Sequence, residues 1–283
     1  MKPEWLKVKA SVQSERINFS KQLSSCGIHT ICTEGDCPNC LECFGNKVAT
    51  FMIMGNVCTR NCGFCNVKHG KPKAIEQDEI QKIISICKKV ALKYVVITSV
   101  TRDDLLDGGA SYYAKTVNSL KTALPQIGIE VLIPDFKGDK KAIQTVVQAR
   151  PNVIGHNIEV IPRLYDIARA QASYERSLQV LSMLKTFDQN VYSKSSIMMG
   201  LGETKEEVIS VFKDLRAVGC DALTIGQYLA PSSKHIDVVE YVHPEQFDRY
   251  KQCAYELGFL NVESGPFVRS SYHAADFGMS IKV

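Results

Sequence analysis

The sequence predicts an α/β protein built as a partial (β/α)6 barrel with an extension at each end. Three observations predict it. Six short apolar runs alternate with amphipathic segments, the runs are apolar throughout rather than at every second residue, and no repeat, low-complexity stretch or linker divides them. Strands buried on both faces of a parallel sheet have this composition.

Residues 1–48 lie outside the alternation and form an N-terminal extension. The strands then follow as ATFMIMG (49–55), YVVITSV (94–100), IGIEVLI (127–133), NVIGHNI (152–158), SSIMMG (195–200) and ALTIGQYL (222–229). After the first strand, Ile80, Ile83, Ile84, Cys87 and Ala91 recur at helical spacing and share a face. Val208, Phe212, Leu215 and Val218 do the same in a helix opened by Thr204 and Glu207, spaced as a capping box. A third helix has Pro244 in its first turn and stops at Gly258. Residues 49–259 thus make the barrel, and residues 260–283 are a C-terminal tail.

A chain of 283 residues needs no metal merely to fold, since about 75% of its unfolded surface is buried at this size. Apolar content of 45%, charged content of 23% and a mean hydropathy of -0.08 belong to a globular, non-membrane protein. The formal charge of +4 is too small to point to nucleic acid. No apolar run has the length of a signal peptide or a membrane span, so a cytoplasmic enzyme is expected. In that reducing compartment, clustered cysteines are metal ligands or redox groups more often than disulfides.

Seven of the eleven cysteines fall between positions 32 and 65. Cys58, Cys62 and Cys65 are spaced CxxxCxxC directly after the first strand, at the barrel end where such folds place chemistry. Three thiolates hold three irons of a [4Fe-4S] cluster and leave the fourth open to a ligand. Structural zinc needs a fourth ligand and usually paired CxxC units, of which only Cys62 and Cys65 form one. Six scattered histidines offer no HxxxH or HxxE spacing.

The loop CTRNCGFC, with Phe64 before its last cysteine, the following NVKHGKP and the preceding ATFMIMGNV resemble the radical S-adenosylmethionine (SAM) core of lipoyl synthases. The resemblance implies a TIM-type partial barrel of the radical SAM kind. It also implies a cluster on Cys58, Cys62 and Cys65 whose open iron binds the amino and carboxylate groups of SAM. One-electron cleavage of SAM then yields a radical able to attack an unactivated C–H bond. Further SAM contacts are expected from Gly108 and Gly109 in TSVTRDDLLDGGA, Asn157 and Glu159 in HNIE, and Gly200 and Glu203 in MMGLGET. In PRLYDIARAQASYERSLQVL, Arg163, Tyr165, Arg169, Tyr174 and Arg176 resemble a family stretch near SAM or substrate; a solvated helix face is the alternative for each.

Cys32, Cys37 and Cys43, spaced CxxxxCxxxxxC, resemble the second cysteine pattern of the same family, and PFVRSSYHA (266–274) its C-terminal RSSY motif. The resemblance implies a second, auxiliary [4Fe-4S] cluster held by these cysteines and a serine oxygen. That serine falls on Ser271, with Ser270 as the alternative, and His273 and Tyr272 stand beside it. A hard oxygen matches a cluster of soft thiolates poorly and makes a ligand that can be lost. Cys40 departs from the family pattern; it is read as a spare thiol, the alternative being exchange with a neighbouring ligand.

The implied reaction is insertion of sulfur, drawn from the sacrificed auxiliary cluster, at C6 and C8 of an octanoyl chain on a carrier lysine. Implied partners are a lipoyl carrier domain (of a 2-oxoacid dehydrogenase or the glycine cleavage H protein), an electron donor such as flavodoxin or ferredoxin, and an iron–sulfur carrier. A monomer is compatible with the resemblance. Methylthiotransferases would add a further C-terminal domain, and biotin synthase lacks the upstream cysteine pattern. An iron–sulfur electron carrier would shield its irons with four protein ligands and has no use for six βα units.

Overall fold

The computed structural model describes residues 3–7, 30, 37 and 39–280. In chain order the elements are α1 (Cys40–Gly45), β1 (Val48–Ile53), β2 (Val57–Cys58), β3 (Lys68–His69), α2 (Glu79–Val90), β4 (Tyr94–Ser99), α3 (Ala110–Ala123) and β5 (Gly128–Leu132). There follow α4 (Lys140–Gln148), β6 (Val153–Gly155), α5 (Tyr165–Ala168), α6 (Tyr174–Phe187), β7 (Tyr192–Met199), α7 (Lys205–Ala217), β8 (Ala222–Gln227), α8 (Pro244–Glu256), β9 (Asn261–Gly265) and α9 (Ala274–Ser280). No helix of the described residues is long and apolar enough to cross a membrane.

The chain divides into two compact units. One comprises residues 8–60, 66–153 and 273–283; the other comprises 1–7, 61–65 and 154–272. In the first, β1, β4 and β5 are parallel neighbours, with Val48 opposite Tyr94 and Tyr94 opposite Gly128. Every residue of β1 is buried, as expected of a strand covered on both faces. Parallel pairing in this register brings the segments after β1, β4 and β5 out at one edge. The four apolar residues Ile80, Ile83, Ile84 and Cys87 of α2 are buried as expected, but Ala91 is exposed. It leaves the helix in a left-handed conformation (φ 52°) and caps it instead of continuing the apolar face. Helix α9 packs on β4 and β5.

In the second unit β7, β8 and β9 are parallel, with Lys194 opposite Ala222 and Ala222 opposite Asn261. Here β9 adds a strand that the apolar runs did not announce, inside the segment read as a tail. Only Val262 of its five residues is buried, so it lacks the continuous apolar run of the other strands. The capping box of α7 forms as expected, Thr204 and Glu207 each bonding the other's backbone N–H. Pro244 occupies the first turn of α8, where its missing N–H costs nothing.

Candidate functional site

In the first unit, the chain leaving β1 turns through Met54 and Gly55, both at positive φ (66° and 85°). Their amides donate to the carboxylate of Glu79, the first residue of α2, at 2.9 and 3.3 Å. The turn leads into β2, where Cys58 lies opposite His69 of β3. The half-buried Cys58 sulfur accepts the N–H of Arg60 (3.4 Å) and of Thr101 (3.3 Å).

Arg60 is the centre of a buried network. Its Nε and Nη2 donate to the two oxygens of Asp103 (2.7 and 3.0 Å), and Nη1 and Nη2 to those of Asp135 (3.0 and 2.7 Å). The side chains of Arg60 and Asp135 are 5% and 0% exposed. Burial alone would lower the Arg60 pKa, but the hydrogen bonds and charges of Asp103 and Asp135 outweigh it and raise the group above its ordinary value. Thr59 adds two bonds to Thr101, from N–H (3.0 Å) and Oγ1 (2.9 Å) to its carbonyl, and accepts the N–H of Asp103 at 3.1 Å. Arg102 donates to the Met54 carbonyl (3.1 Å) and pairs with Asp104.

Downstream of that network, Asp107 accepts the N–H groups of Gly109 (2.9 Å) and Ser111 (2.8 Å) and opens α3. Gly108 and Gly109 have φ of 61° and 92°. A Cβ on Gly109 would stand 2.4 Å from the sulfur of Met54 and force that side chain to shift, while the positive φ itself favours glycine there.

In the second unit, Asn61 N–H donates to Gln171 (2.8 Å) and Gly63 N–H to the Ala168 carbonyl (3.0 Å), while Ile236 N–H donates to the Gly63 carbonyl (3.1 Å). The Cys65 carbonyl meets Nε2 of His235 at 3.2 Å. Asn157 donates to the Glu159 carboxylate at 3.1 Å. Arg169, buried, donates to the Asn157 carbonyl (2.9 Å) and lies over the ring of Tyr165. Burial raises the Glu159 carboxyl above its ordinary value, opposed by the Arg169 charge and the Asn157 bond. Burial would lower Arg169, but the charges of Tyr165, Glu159 and Cys62 raise it.

Beyond β7, Glu203 accepts the N–H of Gly200 (2.5 Å) and of Leu201 (2.9 Å), so the glycine and glutamate of this element build one turn. Gly200 (φ 94°) leaves room for Gln227, which donates to the carbonyls of Met199, Tyr228 and Glu240. Arg163 pairs with Glu207 at the surface, and the Tyr174 hydroxyl donates to Asp214, so each binds within the fold.

Cys37 and Cys43, of the upstream cysteine pattern, fall in the first unit. Cys32 and the side chain of Cys40 lie outside the described residues; Cys37 is half-buried. Cys43 packs against the buried cluster of Val48, Tyr94, Val96 and Ala274, together with Ala275. His273, at φ 51°, meets Glu42 with Nε2 at 3.2 Å and Asp276 with Nδ1 at 3.6 Å. Glu42, Cys43, His273 and Asp276 also line one cavity of about 660 Å³. The fold therefore seats Cys43 against Ala274 at the start of α9. Ser271 itself is half-buried in the second unit, past β9, where Tyr272 N–H closes a turn onto the Arg269 carbonyl at 2.9 Å.

Among the described residues no three His, Cys, Asp or Glu side chains are gathered as a metal ion requires. What fits an iron–sulfur cluster is the donor chemistry: half-buried Cys58 in the first unit, whose sulfur receives two N–H bonds, and half-buried Cys62 and Cys65 in the second. Sequence reasoning missed Arg60, Asp103, Asp135, Glu79 and Gln227. The one available signal was an arginine between two cysteines, with acidic residues past the next two strands.

The radical SAM superfamily model matches residues 52–215, more than half of the chain, and defines the class. A lipoyl synthase of Caldicellulosiruptor saccharolyticus is 53% identical over 97% of this chain and 96% of its own length. Another, of Caldanaerobacter subterraneus subsp. tengcongensis, is 54% identical over 99% and 98%. The chain belongs to the lipoyl synthase family and is an enzyme, a radical SAM sulfurtransferase. In fold it is similar to methylornithine synthase (TM-score 0.53, 14% identity, 91% of this chain and 79% of that one). Membership of the superfamily implies a [4Fe-4S] cluster and SAM.

Proposed function

We propose that the enzyme inserts one sulfur atom at C6 and one at C8 of an octanoyl chain held in amide linkage to a lysine of a carrier protein. Each insertion replaces a C–H bond by a C–S bond, with the sulfur taken from an auxiliary [4Fe-4S] cluster consumed as a substrate. Cys58, Cys62 and Cys65 would hold the SAM-binding cluster. When bound, that cluster and SAM supply the one-electron chemistry that removes hydrogen from an unactivated carbon, which no protein base of ordinary pKa can do.

The chain's own residues bind and orient. Gly108 and Gly109, in the positive-φ turn held by Asp107, would border the amino group of SAM. Asn157, Glu159 and Arg169 offer a donor, an acceptor and a cation for its ribose and methionyl groups, and the turn of Gly200 and Glu203 would border the adenine. Cys32, Cys37, Cys43 and Ser271 would hold the auxiliary cluster. The observation that carries this reading is Cys43 seated against Ala274, the third residue after Ser271. A lipoyl domain of a 2-oxoacid dehydrogenase or the glycine cleavage H protein would be the carrier. A flavodoxin or ferredoxin would deliver the electrons, and an iron–sulfur carrier would rebuild the spent cluster.

The test is anaerobic reconstitution followed by incubation with SAM, a strong reductant and an octanoylated lipoyl domain. Mass spectrometry should show the domain gaining two sulfurs as the dithiol, with two hydrogens lost only on oxidation to the disulfide. An unchanged domain, under conditions in which SAM is cleaved, would overturn the reading.

A further inference from the structure

We infer that Arg60 and Asp103 act as a positioning pair that locks the segment carrying Cys58 to the loop carrying Gly108 and Gly109, so that the cluster and the SAM-binding loop are held in one register. This rests on the reading that Cys58, Cys62 and Cys65 hold the SAM-binding cluster.

Three kinds of contact carry it, all within one unit. The bidentate bond from Arg60 to Asp103 joins the two segments through side chains, at 2.7 and 3.0 Å. The bonds of Thr59 to Thr101 and of Asp103 to Thr59 join them through the backbone. The N–H of Thr101 ends on the Cys58 sulfur itself at 3.3 Å. Asp135 holds the opposite side of the guanidinium and fixes its plane, since its carboxylate is buried and receives both terminal nitrogens. A guanidinium with two carboxylates on its two edges has one orientation, and the segment attached to it inherits that orientation. Shifting residues 101–103 would move a donor to the Cys58 sulfur and, a few residues on, the N-terminus of α3. Neither Arg60 nor Asp103 needs to touch iron or SAM for this.

The experiment uses the full-length, anaerobically reconstituted protein and reads the SAM-dependent change in the electron paramagnetic resonance spectrum of the reduced enzyme, together with iron per chain. Arg60→Gln and Asp103→Asn should each raise the SAM concentration for half of that change by roughly tenfold, within the usual coupling range for contacting residues. The double variant should do no worse than either single one, and Arg60→Lys should restore part of the loss. A wild-type midpoint in the single variants, or effects that multiply in the double one, would overturn the pairing. If Arg60→Gln does not fold by far-UV circular dichroism, Arg60→Lys and Asp103→Asn decide. Should both keep the wild-type midpoint, the inference fails. A wild-type enzyme with no SAM-dependent spectral change would overturn the cluster reading, and the pair with it.

Discussion

Two regions of one unit, at opposite ends of β1, are held in opposite ways. Past its C-terminal end, the segment of Cys58 is fastened by buried charge: Arg60 and Asp135 are 5% and 0% exposed. Before its N-terminal end, the helix of Cys43 is fastened by apolar contact with Val48, Tyr94 and Ala274, and by the exposed pair of His273 and Glu42, at 33% and 49%. Removing one partner of a buried ion pair costs about 3–5 kcal/mol, whereas an exposed pair contributes about 0.2–1 kcal/mol. A site that keeps its cluster through every turnover suits the first kind of fastening. Under the proposed function, a site whose cluster is spent and rebuilt suits the second.

The sharpest way to break this comparison is to delete one thiolate from each region. Cys58→Ala should abolish SAM cleavage, read by chromatography of the cleavage products, because the proposed SAM-presenting cluster loses a ligand. Cys37→Ala should leave SAM cleavage measurable and stop sulfur insertion. Loss of both activities in Cys37→Ala would remove the division of roles between the two regions.

Next in size is a steric test of the rigid region. Gly109→Ala puts a methyl group at φ 92° and 2.4 Å from the Met54 sulfur. The strained backbone and overpacking should cost about 1–3 kcal/mol in urea unfolding. Adding Met54→Ala should recover the overpacking part, leaving the backbone part; no recovery would mean that Met54 does not hold this loop.

Parts of this contrast were legible in the sequence and parts were not, for a physical reason. The strands of the first unit announce themselves because a strand covered on both faces must be apolar throughout, and β9 stays hidden because only Val262 is buried. Cysteine spacing is local and survives in the sequence. The Arg60 network is not local: its partners lie 43 and 75 residues away, and only the parallel register of β1, β4 and β5 brings the three segments together. Gln227 escaped notice likewise, since its partners become neighbours only after β7 and β8 pair. Helical spacing placed Ala91 on the buried face of α2, and a left-handed cap, which periodicity does not register, took it out.

A smaller effect tests the weakly fastened region. His273→Ala removes the exposed contact to Glu42 and should lower stability by only about 0.2–1 kcal/mol. Iron per chain should fall on standing while SAM cleavage persists, as expected if the pair tethers the tail to the helix of Cys43. A fall in SAM cleavage of the same size would tie His273 to the other region.

The smallest effect separates burial from geometry. Arg163 grips Glu207 through Nε and Nη2, both at 2.9 Å, the same two-pronged contact that Arg60 makes to Asp103. The difference is exposure: the Arg163 side chain is 55% exposed and Glu207 31%, against 5% for Arg60. The Arg163 hydrogen bond, helped by the Thr204 N–H, holds the Glu207 carboxyl down at about 2 from its ordinary 4.5. A carboxyl depressed on folding contributes stability above its unfolded pKa and loses it as pH falls through the folded one. The contribution is therefore complete above about pH 4.5 and fades toward pH 2, and solvent screening keeps it small. Arg163→Ala should lower the melting midpoint at pH 7 by about 2 °C or less, with the difference from wild type shrinking below pH 4. SAM cleavage should be unchanged. If Arg163→Ala instead cost as much as Arg60→Gln, two-pronged geometry alone would explain the strength of the Arg60 network, and burial would not be what distinguishes the two ends of β1.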